Sequence, residues 1–382
     1  MLILADENIP YVKEAFSEFG EVNTISGREI TPEKVKGVDI LLVRSITKVN
    51  KDLLEGSKVR FVGTATIGFD HIDVDYLHKK GIEFASAPGS NANSVAEYVV
   101  SALLYLEKHH SYILRHRKIG ILGVGNVGSR VLKKISALGM IPILYDPPLA
   151  EKIDKPLFDP IEKIYDCDII TLHVPLEKAG KYPTYHMITS EFFNKLKREV
   201  VFINTSRGAV AETESIIKAI KDHIVKFTIL DVWENEPNIN LELLKLATIA
   251  TPHIAGYSFD GKVNGTYQLY CALCKYLGKT PTWDFKACLP PPEVKLIEVD
   301  TKEKHWLHNV VHKIYPIHHD DQRLKEIINK PEGERGKFFD SLRKNYPVRR
   351  EFHNTYVKLY TGEADFESKN ILESLGFNIE RN

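Results

Sequence analysis

The chain has 382 residues, of which 51 are Lys or Arg and 51 are Asp or Glu. This length exceeds the size at which one hydrophobic core keeps growing, so two or three domains are expected. The balanced charge and the lack of a long basic run argue against a nucleic-acid partner, because such a partner needs a positive field. With 43% hydrophobic and 27% charged residues, the composition is that of an ordinary soluble protein.

Neither export nor membrane insertion is predicted. The first residues run into a strand-like segment without a basic leader, and the most apolar stretch, 95–106, is interrupted by Glu97 and too short to span a bilayer. We therefore expect a cytoplasmic protein with no membrane partner. The cysteines are too few for a disulfide scaffold, so a structural role is expected for each of them: Cys167, Cys271, Cys274 and Cys288.

No metal site is predicted. Cys271 and Cys274 form a C-x-x-C pair, but a metal or redox site of this kind needs a second pair or a helix start after a strand. Three histidines also share one helical face, namely His305, His308 and His312. No carboxylate or cysteine joins them at ligand spacing, so a solvated or interface helix is the favoured interpretation.

Two series of alternating strands and helices are predicted, separated by a long helical stretch at 91–107. Apolar runs predict strands of the first series at 2–5, 40–43, 61–63 and 83–87, and of the second series at 119–122, 143–145, 169–173, 200–204 and 228–232. Strands that alternate with helices predict parallel sheets covered by helices, which is the α/β fold class.

Three domains are expected from this order. The helical pattern of 257–277 suggests a return to the first domain, and the proline run after Leu289 marks a further boundary. We therefore predict a discontinuous first domain (1–93 with 257–286), a central domain (94–256) and a small α+β C-terminal domain (287–382).

A glycine-rich turn in the central domain predicts a dinucleotide site. The sequence Gly-Val-Gly-Asn-Val-Gly at 123–128 follows an apolar strand and opens a helix. Gly123 permits the tight turn, Gly125 lets the backbone approach a pyrophosphate, and Gly128 allows close packing of helix and strand. The free N–H groups and partial positive charge of the helix start then suit the phosphates.

An acidic residue indicates which dinucleotide is bound. Asp146 ends the next strand, eighteen residues beyond Gly128, where its carboxylate can accept hydrogen bonds from ribose hydroxyls. The carboxylate would repel a 2′-phosphate, and Pro147 and Pro148 follow it instead of an arginine. NAD is therefore predicted rather than NADP.

Three segments bring polar groups to strand ends: Asn-Thr-Ser-Arg-Gly-Ala at 204–209, Asp-Val-Trp-Glu-Asn-Glu-Pro at 231–237 and Thr-Pro-His-Ile-Ala-Gly at 251–256. In an open α/β sheet, ligands bind outside the carboxyl ends of the strands. Taken singly, each candidate has an alternative, because Arg207 could be a surface ion-pair partner, Glu236 a solvated acid and His253 a buried structural histidine.

Taken together, the glycine-rich turn and these three segments are similar to the motifs of the D-2-hydroxyacid dehydrogenase family. The resemblance implies a Rossmann NAD-binding domain, a flavodoxin-like substrate domain and a reaction in which hydride moves to or from C2 of a 2-hydroxy acid. It implies that Arg207 binds the substrate carboxylate and the C2 oxygen, that Glu236 supports the histidine, and that His253 is the acid/base.

These residue types suit that chemistry. A guanidinium stays charged and offers a planar fork of donors to a carboxylate and to negative charge on the C2 oxygen. Oxidation also needs a base for the hydroxyl proton, and the ordinary titration of histidine lies nearest to neutral pH. By the same resemblance, the residues in contact with NAD are Gly123, Gly125, Asn126, Val127, Gly128, Asp146, Val174, Thr205, Ser206, Asp231 and Gly256. The family often has Cys at the position of Ser206, which puts little in doubt.

Further motifs resemble family members that act on a phosphorylated polyol acid. Arg44, Ser45 and Thr47 follow one predicted strand and Thr66 follows another, where a charge and hydroxyls can meet phosphate or substrate oxygens. The resemblance implies substrate contacts from Ser45, Thr66 and Tyr257. Arg44 is a candidate for phosphate, and so is one of the pair Arg349 and Arg350, across a dimer interface if the C-terminal domain makes a homodimer.

Two alternatives stay open. One is another member of the family, such as a phosphoglycerate or glycerate dehydrogenase. The other is an NAD-sensing binding protein, as the resemblance implies for members recruited as corepressors, although the complete set of Arg207, Glu236 and His253 argues against it. Fold alone does not decide between them.

Overall fold

A computed structural model of the chain describes residues 1–153, 157–360 and 366–380. The chain divides into two compact units: unit 1 contains Met1–Asn91 and Ser258–Pro290, and unit 2 contains Ala92–Tyr257 and the chain from Pro291 onward. The last of the three junctions, between Pro290 and Pro291, lies inside the proline run. No helix in the described part of the chain is long and apolar enough to cross a membrane.

The strands of the described residues are β1 (Leu2–Asp6), β2 (Glu21–Ile25), β3 (Ile40–Val43), β4 (Phe61–Thr64), β5 (Glu83–Ala85), β6 (Lys118–Leu122), β7 (Ile141–Tyr145), β8 (Ile169–Leu172), β9 (Val200–Asn204), β10 (Val225–Leu230), β11 (Ile249–Ala250), β12 (Leu296–Val299), β13 (Tyr356–Leu359) and β14 (Asn378–Ile379). The α-helices are α1 (Val12–Phe16), α2 (Pro32–Val35), α3 (Lys51–Leu54), α4 (Val74–Lys79), α5 (Ala92–His110), α6 (Asn126–Ala137), α7 (Pro147–Ala150), α8 (Ile161–Ile164), α9 (Ser190–Lys195), α10 (Thr213–Lys221), α11 (Leu241–Leu246), α12 (Phe259–Tyr276), α13 (Trp306–Ile314), α14 (Ile317–Lys325), α15 (Glu332–Lys344) and α16 (Phe366–Leu375).

Unit 1 is built on a parallel sheet in the order β2-β1-β3-β4-β5. This order is the flavodoxin-like arrangement, and it confirms that part of the predicted fold class. Alternate residues of the strands point to opposite faces, so the sheet has two cores. Leu269 and Leu273 of α12 pack on one face, and Leu53 and Leu77 of α3 and α4 pack on the other.

Unit 2 contains a six-stranded parallel sheet in the order β11-β10-β9-β8-β6-β7. β7 and β8 pair with opposite sides of β6, so the strand order reverses at β6. Ligands of open α/β sheets bind at such a switch point, beyond the carboxyl ends of the strands. The glycine-rich turn leaves β6 at that point.

The part of unit 2 from Pro291 onward, hereafter the C-terminal segment, has a small sheet of its own. Its three parallel strands follow the order β12-β13-β14. Ile297 and Val357 of this sheet belong to the same apolar core as residues of α5, such as Leu103 and Leu106. The mixture of short strands and helices confirms the predicted α+β character of this segment.

Candidate active site

The three segments with candidate catalytic residues leave neighbouring strands. Arg207 follows β9, Glu236 follows β10 and His253 follows β11, and these strands lie side by side in the sheet. Because the three strands are parallel, their carboxyl ends share one edge. The fold therefore carries the predicted catalytic segments to the same edge of the sheet.

Glu236 and His253 form a direct pair. Nδ1 of His253 lies 2.8 Å from Oε2 of Glu236, and the backbone N–H of Trp233 donates to Oε1 over 2.9 Å. With Nδ1–H donated to the carboxylate, Nε2 is the nitrogen that can exchange a proton with a substrate. The carboxylate thus sets both the tautomer and the orientation of the ring, as predicted for a supporting acid.

The pKa of Glu236 is lowered despite the burial of its carboxyl group. Burial opposes ionisation, but the charge and hydrogen bond of His253, the charge of Arg343 and the N–H of Trp233 outweigh it and hold the pKa below its usual range. Glu236 is therefore ionised at neutral pH, so it can accept the proton of Nδ1. Any stability that this pairing gives is present near neutrality and is lost as the pH falls through the lowered pKa.

Asp231 holds the loop that carries His253. Its carboxylate accepts hydrogen bonds from the backbone N–H of Ile254 (2.7 Å) and of Ala255 (3.0 Å), and from the hydroxyl of Thr251 (2.6 Å). Burial raises the pKa of this carboxyl group, although the charge of His253 and these hydrogen bonds act against it. The same loop places His253 at a φ of 56°, which non-glycine residues seldom adopt, so its backbone is held by these contacts.

The Arg207 turn is fixed by Asn204. Oδ1 of Asn204 accepts from the N–H (3.0 Å) and the hydroxyl (2.8 Å) of Ser206, and Nδ2 donates to the carbonyl of Arg207 over 3.1 Å. A Cβ atom at Gly208 would lie only 2.0 Å from backbone of Trp233, so the turn packs directly on the loop that leads to Glu236. The hydroxyl of Ser206 thus has a structural hydrogen bond of its own.

The glycine-rich turn has the shape that a dinucleotide needs. Gly123 adopts a φ of +87°, and a Cβ at Gly128 would lie 2.1 Å from the carbonyl oxygen of Gly123. The side-chain-free turn lets α6 begin directly beyond β6, with Asn126 and Val127 in its first turn. A helix start of this kind binds the phosphates of a dinucleotide.

Asp146 is hydrogen-bonded to the glycine-rich turn. Its carboxylate accepts from the N–H of Val124 over 2.7 Å and from the N–H of Leu149 over 3.0 Å. The side chain is thereby held at the end of β7, next to the strand that bears the glycines. Acceptor capacity remains for ribose hydroxyls, because a carboxylate has about four lone-pair positions.

His173 is a residue of this region that the sequence did not single out. It follows β8, and its imidazole lies between the hydroxyls of Thr171 (3.0 Å from Nε2) and Thr205 (3.2 Å from Nδ1). Burial lowers the pKa of His173 to about 3, so the ring is neutral at physiological pH. The position of His173 directly after β8 was a usable signal, because ligands of an open α/β sheet bind beyond the carboxyl ends of its strands.

Removal of the Asp146 carboxylate tests the cofactor site. We expect Asp146→Ala to weaken NAD binding about 10- to 100-fold, because the carboxylate no longer accepts hydrogen bonds from the ribose hydroxyls or from the N–H group of the glycine-rich turn. The binding constant would be measured from the quenching of tryptophan fluorescence. Asp159→Ala is the control, since Asp159 also accepts a backbone N–H, from Leu144 of β7. Equal NAD affinity in both variants would show that Asp146 does not bind the cofactor.

The candidate substrate residues of unit 1 follow two adjacent parallel strands, β3 and β4. Ser45 is exposed and Arg44 is half-buried in the turn that follows β3. The hydroxyl of Thr66 contacts that of Thr64 over 2.7 Å and the carbonyl of Gly68 over 2.8 Å. Thr47 differs from these residues, because its buried hydroxyl donates to the carbonyl of Gly27 over 2.9 Å.

The arginine pair of the C-terminal segment is buried. Nη2 of Arg349 donates to Oγ of Ser94 over 2.7 Å and to the carbonyl of Ala255 over 3.1 Å, so it supports the loop after His253. Nη2 of Arg350 donates to Oδ1 of Asn354 over 2.6 Å. Both guanidinium groups are thus engaged within unit 2, and their contact with a substrate phosphate stays a prediction.

The histidines singled out in the sequence are packed rather than arranged around a cation. The rings of His308 and His312 stack with their centroids 3.8 Å apart. Burial is the main cause that lowers the pKa of His308 to about 3 and that of His312 to about 4. Among the residues that the structure describes, no group of three or more His, Cys, Asp or Glu side chains could hold a metal ion.

Comparison with known families defines the class of enzyme. Residues 96–255 match the family model of the D-isomer specific 2-hydroxyacid dehydrogenase, NAD binding domain, and residues 288–376 match a domain of unknown function, DUF3410. The fold, the turn built for a dinucleotide and the Glu236–His253 pair thus define an NAD-dependent 2-hydroxyacid dehydrogenase. The predicted cofactor and enzyme class are confirmed.

Relatives of similar length give the family. The chain is 42% identical to the erythronate-4-phosphate dehydrogenase of Cellvibrio japonicus, with 99% of each chain covered, and 42% identical to that of Cronobacter sakazakii, with 99% of this chain and 98% of the relative covered. The chain belongs to the erythronate-4-phosphate dehydrogenase family.

Solved structures share the fold over about three quarters of the chain. D-Lactate dehydrogenase from Aquifex aeolicus, complexed with NAD and lactic acid, matches with a TM-score of 0.61 and 25% identity over 73% of this chain and 96% of that one. The NAD⁺-bound 3-phosphoglycerate dehydrogenase of Entamoeba histolytica matches with a TM-score of 0.63 and 26% identity over 73% and 95%.

Proposed function

We propose that the enzyme oxidises 4-phospho-D-erythronate at C2 to 3-hydroxy-2-oxo-4-phosphonooxybutanoate, a step in the biosynthesis of pyridoxal 5′-phosphate. The observation that carries this proposal is the similarity to erythronate-4-phosphate dehydrogenases along nearly the whole chain, at 42% identity. The 2.8 Å pair of Glu236 and His253 supports it, because oxidation of a hydroxyl needs such an acid/base.

The residues act on the proton and on the substrate charge. His253 accepts the C2 hydroxyl proton at Nε2, while Glu236 stabilises the imidazolium that forms through its bond to Nδ1. Arg207 binds the substrate carboxylate and draws negative charge toward the C2 oxygen. NAD, held by the glycine-rich turn and Asp146, supplies the hydride acceptor when bound. The other cofactor contacts implied by the family resemblance remain part of this proposal.

Substrate recognition is assigned to side chains that carry a hydroxyl group or a positive charge. Ser45 and Thr66 are proposed to contact the hydroxyl groups of the substrate, together with Tyr257 beyond the histidine loop. Arg44 is proposed to bind the phosphate, because it places a permanent cation after β3. The pair Arg349 and Arg350 is retained as a second phosphate candidate, because a like pair is part of the family resemblance.

A substrate screen separates this proposal from other family members. We expect turnover with 4-phosphoerythronate and NAD, and at least about tenfold lower kcat/KM with 3-phosphoglycerate, because a missing hydroxyl leaves buried polar groups unpaired. Formation of NADH would be followed at 340 nm for both acids and for D-glycerate. A preference for 3-phosphoglycerate would overturn the proposed substrate. If no acid is turned over and the chain binds a protein partner in an NAD-dependent way, the NAD-sensing binding protein is favoured instead.

The division into three domains, a cytoplasmic location and a homodimer formed through the C-terminal segment complete the proposal. All four cysteines are free thiols, which suits a reducing compartment.

A further inference from the structure

Helix α15 of the C-terminal segment packs on the loop that carries Glu236. A Cβ at Gly336 would lie 2.8 Å from Oδ1 of Asn238 and 3.3 Å from Cγ of Pro237, so the backbone of the helix comes close to this loop. Phe339, three positions further along the same face, is fully buried in the core that contains Trp233 and Ile239. The residue seven positions after Gly336 shares this face, because two helical turns separate them.

That residue is Arg343. Its guanidinium carbon lies 5.6 Å from the centroid of the Tyr257 ring, and the group also interacts with the Tyr257 hydroxyl and the Glu236 carboxylate. Nε of Arg343 is buried and has no hydrogen-bond partner among the described residues. Such an N–H costs stability, so packing alone is a poor reason for an arginine here.

An aromatic ring also contacts Tyr257. The rings of Tyr257 and Tyr346 meet edge to face with their centroids 5.9 Å apart. Tyr346 lies just beyond α15, and its hydroxyl donates to Oδ2 of Asp320 over 2.8 Å. Arg343 near the end of α15 and Tyr346 just beyond it thus both contact Tyr257, which lies four residues after His253.

We propose that Arg343 is a positioning residue of the catalytic pair, whose guanidinium holds Tyr257 and the Glu236 carboxylate in the arrangement that His253 needs. Arg343 does not touch the reacting atoms in this assignment. The cation acts through Glu236, because a positive charge next to a carboxylate favours its ionised form. The C-terminal segment thereby contributes to catalysis within the same protomer. This inference rests on the proposed function of the Glu236–His253 pair.

The charge environment determines how the activity depends on pH. Other titratable side chains that interact with Glu236, His253 or Arg343 are Asp231, Tyr257 and Asp340. Of the charged neighbours of Glu236, His253 and Arg343 both favour its ionised form. Without Arg343 the carboxyl group is protonated at higher pH, and a protonated Glu236 cannot accept the proton of Nδ1. The loss of activity in a variant without this cation is therefore largest in acid.

The test compares three variants in the oxidation direction. We expect Arg343→Met to move the acid limb of the profile of kcat/KM against pH upward by about one unit, as for a carboxyl that loses a nearby cation. The apparent values belong to the coupled pair. Arg343→Lys keeps the charge, so we expect its acid limb at the parental position. KM is expected to be above that of the parent in this variant, because an ammonium group lacks the planar face that the guanidinium presents to Tyr257. Lys337→Met, which removes an exposed cation from the same helix, matches the parent.

Several outcomes would overturn the assignment. One is a loss of kcat/KM in Arg343→Met that is equal at every pH. Another is an acid limb that Arg343→Lys and Arg343→Met displace equally. The third is a pH profile in every variant that matches the parent. If Arg343→Met lowers the melting temperature so far that it cannot be assayed, Arg343→Lys decides, because a displaced limb in that variant contradicts the proposal. If the parent is inactive on 4-phosphoerythronate, the substrate proposal fails separately, and the series is run with the 2-hydroxy acid that the screen identifies.

Discussion

Replacement of His253 by alanine is expected to lower kcat about 10²- to 10⁴-fold, the range typical of a lost general acid/base. The physical reason is that the C2 hydroxyl proton then has no acceptor, while Oε2 of Glu236 loses its hydrogen bond to the imidazole. NAD binding is expected to stay near that of the parent, because the glycine-rich turn and Asp146 are untouched. The rate of NADH formation and the binding constant for NAD would be measured on the same preparation.

A second histidine–glutamate pair in unit 2 is the matched control. Nε2 of His186 lies 2.6 Å from Oε1 of Glu234, and its side chain is as exposed as that of His253, at 30%. If the loss of activity in His253→Ala came only from the loss of a stabilising histidine–carboxylate pair in unit 2, His186→Ala would lose as much activity. We expect His186→Ala to retain most of kcat. An unchanged kcat in His253→Ala would end the assignment of the acid/base.

Replacement of Arg207 by alanine is expected to lower kcat/KM by about 10²- to 10³-fold, comparable to the loss of one donor to a developing oxyanion. Arg207→Lys is expected to fall between the alanine variant and the parent, because lysine keeps the charge but not the planar fork. Steady-state kinetics with the substrate that the screen identifies would give both values.

The opposite end of the same strand offers the control for Arg207. Arg198 precedes β9, is exposed, and donates to the carbonyl of Asp222 over 3.1 Å. Arg198→Ala removes the same charge from the amino end of the strand, where no ligand is expected. Kinetics that are the same for Arg207→Ala and Arg198→Ala would show that Arg207 has no specific contact with substrate.

The strands that sequence patterns predicted best are those buried on both faces. Ile40–Val43 and Val200–Asn204 were predicted with their observed bounds, because uninterrupted apolar runs mark them. The pattern missed β2, an edge strand with polar residues such as Asn23 and Thr24, whose partner in the sheet is β1. It also missed β11, which is only two residues long. In both cases tertiary pairing outweighs the local signal.

For the active site, the sequence predicted the residues but not their supports. The order of motifs was sufficient to choose Glu236 and His253, whose pairing the structure shows. Arg343 was not predictable, because its proximity to Glu236 depends on how α15 packs, and an arginine near a helix end has many ordinary uses. Asp231 was chosen for the cofactor, whereas the structure shows its carboxylate bound to the histidine loop, and its contact with NAD stays a prediction.

The way in which Asp231 anchors the loop has an evolutionary consequence. A single carboxylate directly after β10 binds Thr251, Ile254 and Ala255, so the loop that carries His253 is tied to the sheet. If Ser45 and Thr66 recognise the substrate as proposed, mutations at these positions change the preferred acid without removing this anchor. An ancestral enzyme of this kind can give rise to descendants with different substrates while the inherited acid/base remains in place.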